Sequence, residues 1–126
     1  MRFFGFVNEV DGTLDPARDG HVVARVGHGL AIQLPDPGVP AGRVRLLLRA
    51  ERIRVIAGAE AGQNGGALSG RIVGSDYLGM LVRYFVDVPG LRLQAIQPLE
   101  GSPYQNGEPV VVVIRPADWI VAGPNP

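Results

Sequence analysis

Apolar residues along the chain recur mostly at every second position, which is the spacing of a β-strand with one buried face. Between residues 30 and 34, Leu30, Ile32 and Leu34 alternate with Ala31 and Gln33. The same alternation runs through residues 44–48 and 80–88. No stretch of ten or more residues has the clean spacing of an amphipathic helix. The pattern therefore predicts about ten short strands in an all-β barrel or sandwich.

Glycine and proline divide these strands, and the chain has 18 Gly and 11 Pro. Short turns at residues 27–29 and 89–90 predict two β-hairpins. Longer loops are predicted at residues 35–42, 58–66 and 98–107, and an irregular tail at residues 123–126. Short helical turns are expected only after Arg49 and after Pro116.

One segment of the chain resembles another in sequence, and we call this similarity the internal echo. Residues 47–58 resemble residues 113–123, because each has an apolar strand, an arginine, a turn with an acid and a second apolar strand. Matching the two segments requires a gap of one residue after the acid, which is Glu51 in the first and Asp118 in the second. The echo predicts two similar β lobes within one domain.

The composition excludes several chemistries. The chain of 126 residues has no Lys and no Cys, and its 12 Arg balance 12 Asp and Glu. A phosphate-binding loop with its lysine, a Schiff base, a thiol nucleophile, a disulfide and a cysteine-ligated metal are therefore excluded. The zero net charge argues against a dedicated nucleic-acid binder. The longest apolar run, residues 110–114, is far shorter than the ~20 residues that cross a bilayer.

Four motifs carry a family resemblance. They are FFGFVN (residues 3–8) followed by GTL (12–14), LRAERI (48–53), LSGRIV (68–73) with YLG (77–79) and YFV (84–86), and GEPV (107–110) with RPAD (115–118). In this order they resemble the C-terminal TOBE (transport-associated OB) region of ATP-binding subunits of ABC importers, most closely the spermidine/putrescine type, with iron and sugar types as neighbours. Ala50 stands where the family usually has proline.

The resemblance implies a fold and a context. The expected fold is an OB-like barrel with two small lobes, filling residues 1–126 as one regulatory and dimerisation domain. An ATPase domain that binds ATP and Mg is expected upstream, and no cofactor is expected in this fragment. The implied partners are that domain, a second ATPase subunit in a homodimer, the membrane permease subunits and a small regulatory ligand. The implied location is the cytoplasmic side of a bacterial inner membrane.

Five arginines lie within twelve residues, and they form the main candidate binding feature. Guanidinium groups suit bidentate contacts with carboxylates or oxyanions. The cluster is interpreted as a solvated strand face with local pairs such as Arg49 with Glu51, as a contact to another domain, or as an anion or nucleic-acid site. Its members are Arg43, Arg45, Arg49, Arg52 and Arg54.

Arg49 and Arg115 occupy matching places in the internal echo. Each follows an apolar strand and precedes an acid two or three residues later. We expect each to close its lobe by bonding a carboxylate or turn carbonyls, so that its role is architectural and its replacement by alanine lowers the melting temperature. Replacement of Ala50 by proline is expected to be tolerated.

Other polar residues give weaker indications. His21 and His28 flank a hairpin arm without an evident third metal ligand, so they are interpreted as surface residues. No GxSxG motif accompanies the serines, and no catalytic residue is assigned. The aromatic residues are not interleaved with arginine as base-stacking sites require, and Phe3, Phe4 and Phe6 are assigned to core packing.

The sequence thus favours a non-catalytic regulatory segment of an importer ATPase. The alternative is a free-standing OB module that binds a small ligand such as an oxyanion or a polyamine. A nucleic-acid-binding OB protein is a third hypothesis. An ATPase reading frame directly upstream would distinguish the first hypothesis from the others.

Overall fold

A computed structural model describes residues 6–58 and 67–124. These residues form ten strands and two short 3-10 turns, and none of them is in an α-helix. The strands are β1 (Val7–Leu14), β2 (His21–Val26), β3 (Leu30–Pro35), β4 (Gly42–Arg49), β5 (Arg54–Ala57), β6 (Ala67–Leu78), β7 (Leu81–Val88), β8 (Leu91–Pro98), β9 (Pro109–Val113) and β10 (Ile120–Pro124). The first 3-10 turn is Ala50–Arg52 and the second is Pro116–Asp118. The predicted all-β class and both helical turns are confirmed.

The strands form two five-stranded antiparallel sheets, consistent with two OB-like lobes. Lobe 1 has the order β10-β4-β1-β2-β3, and lobe 2 has the order β5-β9-β6-β7-β8. The two orders correspond strand for strand, but each lobe takes one strand from the other half of the chain. After the first 3-10 turn the chain leaves lobe 1 and enters lobe 2 as β5, and after the second it returns to lobe 1 as β10. Two similar lobes were therefore predicted correctly, whereas the strand exchange was not.

The register of the sheets fixes which residues correspond. Leu47 pairs with Glu9 on one side and Ile120 on the other. Val113 pairs in the same way with Ala67 and Arg54. Leu47 therefore corresponds to Val113, and Ile120 to Arg54, with no gap between the two segments.

The gapless match corrects the predicted alignment of the echo. Arg49 corresponds to Arg115 as predicted, but the acids do not match. Glu51 corresponds to Ala117 in the second segment, and Asp118 corresponds to Arg52 in the first. The two turns consequently carry different charges at equivalent places.

One apolar core runs through both lobes. Strands β2, β3, β4 and β7 bury one face with the predicted alternation, for example at Val44, Leu46 and Leu48 of β4. Ile53 and Trp119, which follow the two 3-10 turns, are both buried in this cluster. Because the core is shared, burial of apolar surface stabilises the two lobes together.

Two predicted boundaries were wrong. Gly123 and Pro124 belong to β10, so only residues 125 and 126 of the predicted tail remain, and they lie outside the described residues. Met80 was assigned to the buried face of a strand, but it lies in the turn between β6 and β7 and is 86% exposed. A turn position overrides the alternation there.

The aromatic N-terminal motif is described only from Phe6 onwards; Phe3 and Phe4 lie outside the described residues. Phe6 is half-buried, and the Arg83 guanidinium carbon lies 4.5 Å from its ring centre and 5.1 Å from that of Phe85. Arg83 also pairs with Asp76. Phe6 therefore contributes a cation–π contact with lobe 2 in addition to apolar packing.

Candidate functional site

Side-chain amides connect strands that are not paired by backbone hydrogen bonds. The Val55 backbone N–H donates to Oε1 of Gln97 at 2.8 Å, and Nε2 of Gln97 donates to the Val55 carbonyl at 3.1 Å. Since β5 and β8 are the two edges of the lobe 2 sheet, Gln97 closes that sheet. It supplies the donor and acceptor that a neighbouring strand would otherwise provide.

Asn8 makes a similar connection between the two lobes. It is the buried polar residue of β1, 6% exposed. Its Nδ2 donates to the carbonyls of Leu48 at 3.2 Å and Gln94 at 2.9 Å, and its Oδ1 accepts from the Gln94 N–H at 2.7 Å. The Asn8 side chain thereby satisfies the backbone of Gln94 on β8, and the Gln97 side chain satisfies the backbone of Val55 on β5.

The two 3-10 turns meet at a groove between the lobes, which we call the junction groove. It has a volume of about 270 Å³. Its lining residues come from the first turn, from the end of β8 and from the second turn: Glu51, Arg52, Ile53, Arg54, Ile96, Gln97, Pro98, Arg115 and Asp118. The fold thus brings together arginines that are far apart in the sequence.

The charges of the junction groove are unevenly paired. Arg115 donates from Nε and Nη2 to the two carboxylate oxygens of Asp118, at 3.0 and 3.2 Å. This pairing raises the pKa of Arg115, first through the hydrogen bond and then through the charge of Asp118. Arg52 and Arg54 are exposed, and within the described part of the chain neither side chain forms a hydrogen bond or ion pair. The groove therefore offers two cations that Asp118 does not neutralise.

The remaining predicted arginines lie elsewhere. Arg43, Arg45 and Arg49 share the outer face of β4 and are exposed. Arg45 makes only a long ion pair with Glu9, at 3.9 Å. The Arg49 side chain has no hydrogen bond or ion pair to any described residue, Glu51 included. The architectural role predicted for Arg49 and Arg115 remains a prediction, and a carboxylate partner is seen only at Arg115.

The first 3-10 turn differs from the second in one backbone contact. The N–H of Ala50 donates to the carbonyl of Phe6 at 2.7 Å, and Ala50 is completely buried. Pro116 holds the equivalent place in the second turn and has no N–H. A proline at position 50 would remove this bond, which argues against the expected tolerance of Ala50→Pro.

Neither histidine forms a metal site with its described neighbours. His21 lines a groove of about 530 Å³ beside Asp15 and Asp19, and its Nδ1 contacts the Asp19 carbonyl at 3.0 Å. His28 lies in the turn between β2 and β3. Across residues 6–58 and 67–124, no three potential ligands converge on one point. Within the same ranges no helix could span a membrane.

Sequence reasoning did not single out Gln97 or Asp118 as parts of one site. Gln97 is an ordinary polar position in an alternating strand, and nothing local marks its contact with Val55. The internal echo was the signal that could have placed Arg115 near Arg52, because it related the two turns. Placing these two arginines together also requires knowing that β5 and β10 exchange lobes, which local sequence patterns do not show.

Comparisons with known proteins agree with this architecture. The sequence model of the TOBE domain matches residues 46–121. The structure of the cytoplasmic molybdate-binding protein ModG, with molybdate bound, superposes with a TM-score of 0.79 and 15% sequence identity, covering 98% of this chain and 100% of that one. At this identity the likeness shows a shared fold. No curated protein matches the chain. Because the family match covers more than half of the sequence, this chain belongs to the TOBE domain family.

Proposed function

We propose that this chain is a non-catalytic binding module for a small tetrahedral oxyanion. The observation that carries the proposal is the end-to-end similarity to ModG, whose structure contains bound molybdate. The proposal corresponds to the small-ligand OB module that the sequence left as its alternative. Similarity of fold supports the type of module, and the residues of this chain must supply the site.

The junction groove is the proposed site. Arg52 and Arg54 present guanidinium groups, which bind oxyanions through paired, charge-assisted hydrogen bonds. Arg115 already bonds to Asp118 and therefore contributes less positive charge. Gln97 fixes the backbone of Val55, the residue after Arg54, and so limits the movement of one side of the groove.

Isothermal titration with molybdate tests the proposal. Binding is expected for the unaltered chain, and the variants Arg52→Ala and Arg54→Ala are expected to weaken it about tenfold each, since a charged hydrogen bond contributes on the order of 1.5 kcal/mol. Arg49→Ala is the matched control, because Arg49 is exposed beside the same turn but does not line the groove. No binding of molybdate, sulfate or phosphate at millimolar concentration, or equal binding by the Arg52→Ala/Arg54→Ala double variant, would refute the proposal.

The match to the TOBE family favours a second candidate. In this candidate function, the domain regulates the ATP-binding subunit of an importer and helps it to dimerise. The subunit contacts permease subunits at the cytoplasmic face of the membrane, and the importer transports a polyamine, iron or a sugar. ATP and Mg would bind the ATPase domain, and the exposed Arg43 and Arg45 would face a neighbouring domain. An ATPase reading frame immediately upstream is the expected result for this candidate, and an in-frame stop codon directly before Met1 would exclude it.

A further inference from the structure

Glu51 places a carboxylate among the cations of the junction groove. It lies in the first 3-10 turn directly before Arg52, is exposed, and forms no hydrogen bond or ion pair with other described residues. The second groove carboxylate, Asp118, differs because both of its oxygens accept from Arg115. Glu51 is therefore the carboxylate of this groove whose oxygens remain available to a ligand.

An ionised carboxylate only accepts hydrogen bonds. Sulfate and molybdate carry no proton at neutral pH, so their oxygens also only accept, and they would meet Glu51 with repulsion and without a compensating bond. A monohydrogen oxyanion such as hydrogen phosphate has one O–H group. That O–H can donate a hydrogen bond to Glu51 while the remaining oxygens accept hydrogen bonds from Arg52 and Arg54.

We infer, building on the proposed oxyanion function, that the junction groove prefers a protonated tetrahedral oxyanion and that Glu51 is the residue that selects it. The equivalent place in the second turn is Ala117, so the second turn contributes no carboxylate at the matching position. The chemistry that is recognised is one O–H donor together with at least two negatively charged oxygens. Free inorganic phosphate is the natural source that keeps this proton at neutral pH, whereas a phosphate monoester keeps it only near or below its second pKa of about 6.

Titrations at pH 8 separate these sources and test the inference. Inorganic phosphate retains one proton at this pH, whereas a monoester has lost its last ionisable proton, because its second pKa is about 6. We expect inorganic phosphate to bind about tenfold more tightly than sulfate, molybdate or methyl phosphate, since one charged hydrogen bond contributes roughly that factor. Equal or tighter binding of sulfate would overturn the inference.

The variant Glu51→Gln tests the residue itself. A glutamine amide donates as well as accepts, so the variant should bind sulfate and molybdate more tightly and should lose most of the preference for phosphate. Glu100→Gln is the control, because Glu100 is exposed and lies outside the groove. If Glu51→Gln strengthens all oxyanions by the same factor, Glu51 contributes only charge and the inference is wrong.

The two proposals fail in different ways. If no oxyanion binds and replacing Arg52 or Arg54 changes nothing, the proposed function is wrong. If sulfate and molybdate bind through Arg52 and Arg54 as tightly as phosphate does, the proposed function stands and the selective role of Glu51 is refuted.

Discussion

Gly27 of lobe 1 packs directly against Gly90 of lobe 2, so the backbones of the two β-hairpin turns are in contact. Both residues have left-handed backbones, with φ of +57° and +78°. A Cβ atom on Gly27 would lie 2.6 Å from the Pro89 carbonyl oxygen. A Cβ atom on Gly90 would lie 2.7 Å from Cγ of His28 and would overlap its backbone nitrogen. Contact between the lobes at this point therefore requires glycine on both sides.

The variant Gly90→Ala should be much less stable than the variant Gly79→Ala. Gly79 has a similar φ of +74°, but no atom lies within 4 Å of the position of its Cβ. Alanine at position 79 incurs only the left-handed conformational cost of about 1–2 kcal/mol. At position 90 the clash between turns adds about 1–3 kcal/mol. Chemical denaturation of both variants measures the difference, and equal losses would show that the turns separate without cost.

The bonds from Gln97 to Val55 predict a second stability effect. Gln97→Met keeps the length of the side chain but leaves the Val55 N–H and carbonyl without their partner, so we expect a loss of about 1–3 kcal/mol in the free energy of unfolding. Gln94→Met is the control on the same strand, because only the backbone of Gln94 forms hydrogen bonds with described residues. Thermal denaturation should separate the two variants clearly, and equal melting temperatures would contradict the role of Gln97.

Proline at position 50 should destabilise the protein. Ala50→Pro removes the N–H that bonds to the Phe6 carbonyl and places a larger ring in a completely buried position. We expect a loss of about 1–3 kcal/mol from the unsatisfied carbonyl, whereas the control Pro116→Ala should lose less than about 1 kcal/mol. Urea denaturation compares the two, and an Ala50→Pro variant as stable as the unaltered chain would show that the bond to Phe6 contributes nothing.

Tyr84 predicts a loss of stability at alkaline pH. It is 2% exposed, and this burial raises the pKa of its phenol above the ordinary value. The hydrogen bond that the phenol oxygen accepts from the Tyr104 N–H at 3.1 Å lowers the pKa, but by less. A raised pKa means that the folded state holds the proton more tightly. The resulting stabilisation is complete below pH ~10 and is lost as the pH rises through the pKa of the folded state.

The variant Tyr84→Phe tests this pH dependence. It should be less stable than the unaltered chain at pH 7, because the Tyr104 N–H loses its acceptor. The difference should shrink as unfolding is followed from pH 9 to pH 11.5. A constant difference over this range would show that Tyr84 does not titrate with unfolding.

The Arg115–Asp118 pair should contribute only a small part of the stability. The Arg115 side chain is 70% exposed and that of Asp118 is 11% exposed. Solvent and salt weaken an ion pair whose cation is exposed. Arg115→Ala should lower the melting temperature slightly and by more than Arg49→Ala does, and the Arg115→Ala effect should vanish when Asp118 is already alanine. A larger effect of Arg49→Ala than of Arg115→Ala would contradict the contacts seen here.

The sequence predicted the local elements well and their long-range pairing poorly. Alternation at residues 30–34 and the turns at residues 27–29 and 89–90 depend on near neighbours, so they could be recognised directly. The contact of Gln97 with Val55 depends on which edge strands meet, and alternation is the same for every possible pairing. The junction groove was missed for the same reason, since Arg52 and Arg115 approach each other only after β5 and β10 have exchanged lobes.

The exchange of β5 and β10 also determines what half of this chain could do alone. A piece ending after β5 would carry four strands of one sheet and a fifth strand that fits only the other. To complete its sheet, such a piece would need the same strand from an identical molecule, with the two copies related by a two-fold axis. The symmetry inside this monomer is therefore that of a domain-swapped homodimer whose two subunits have been joined end to end.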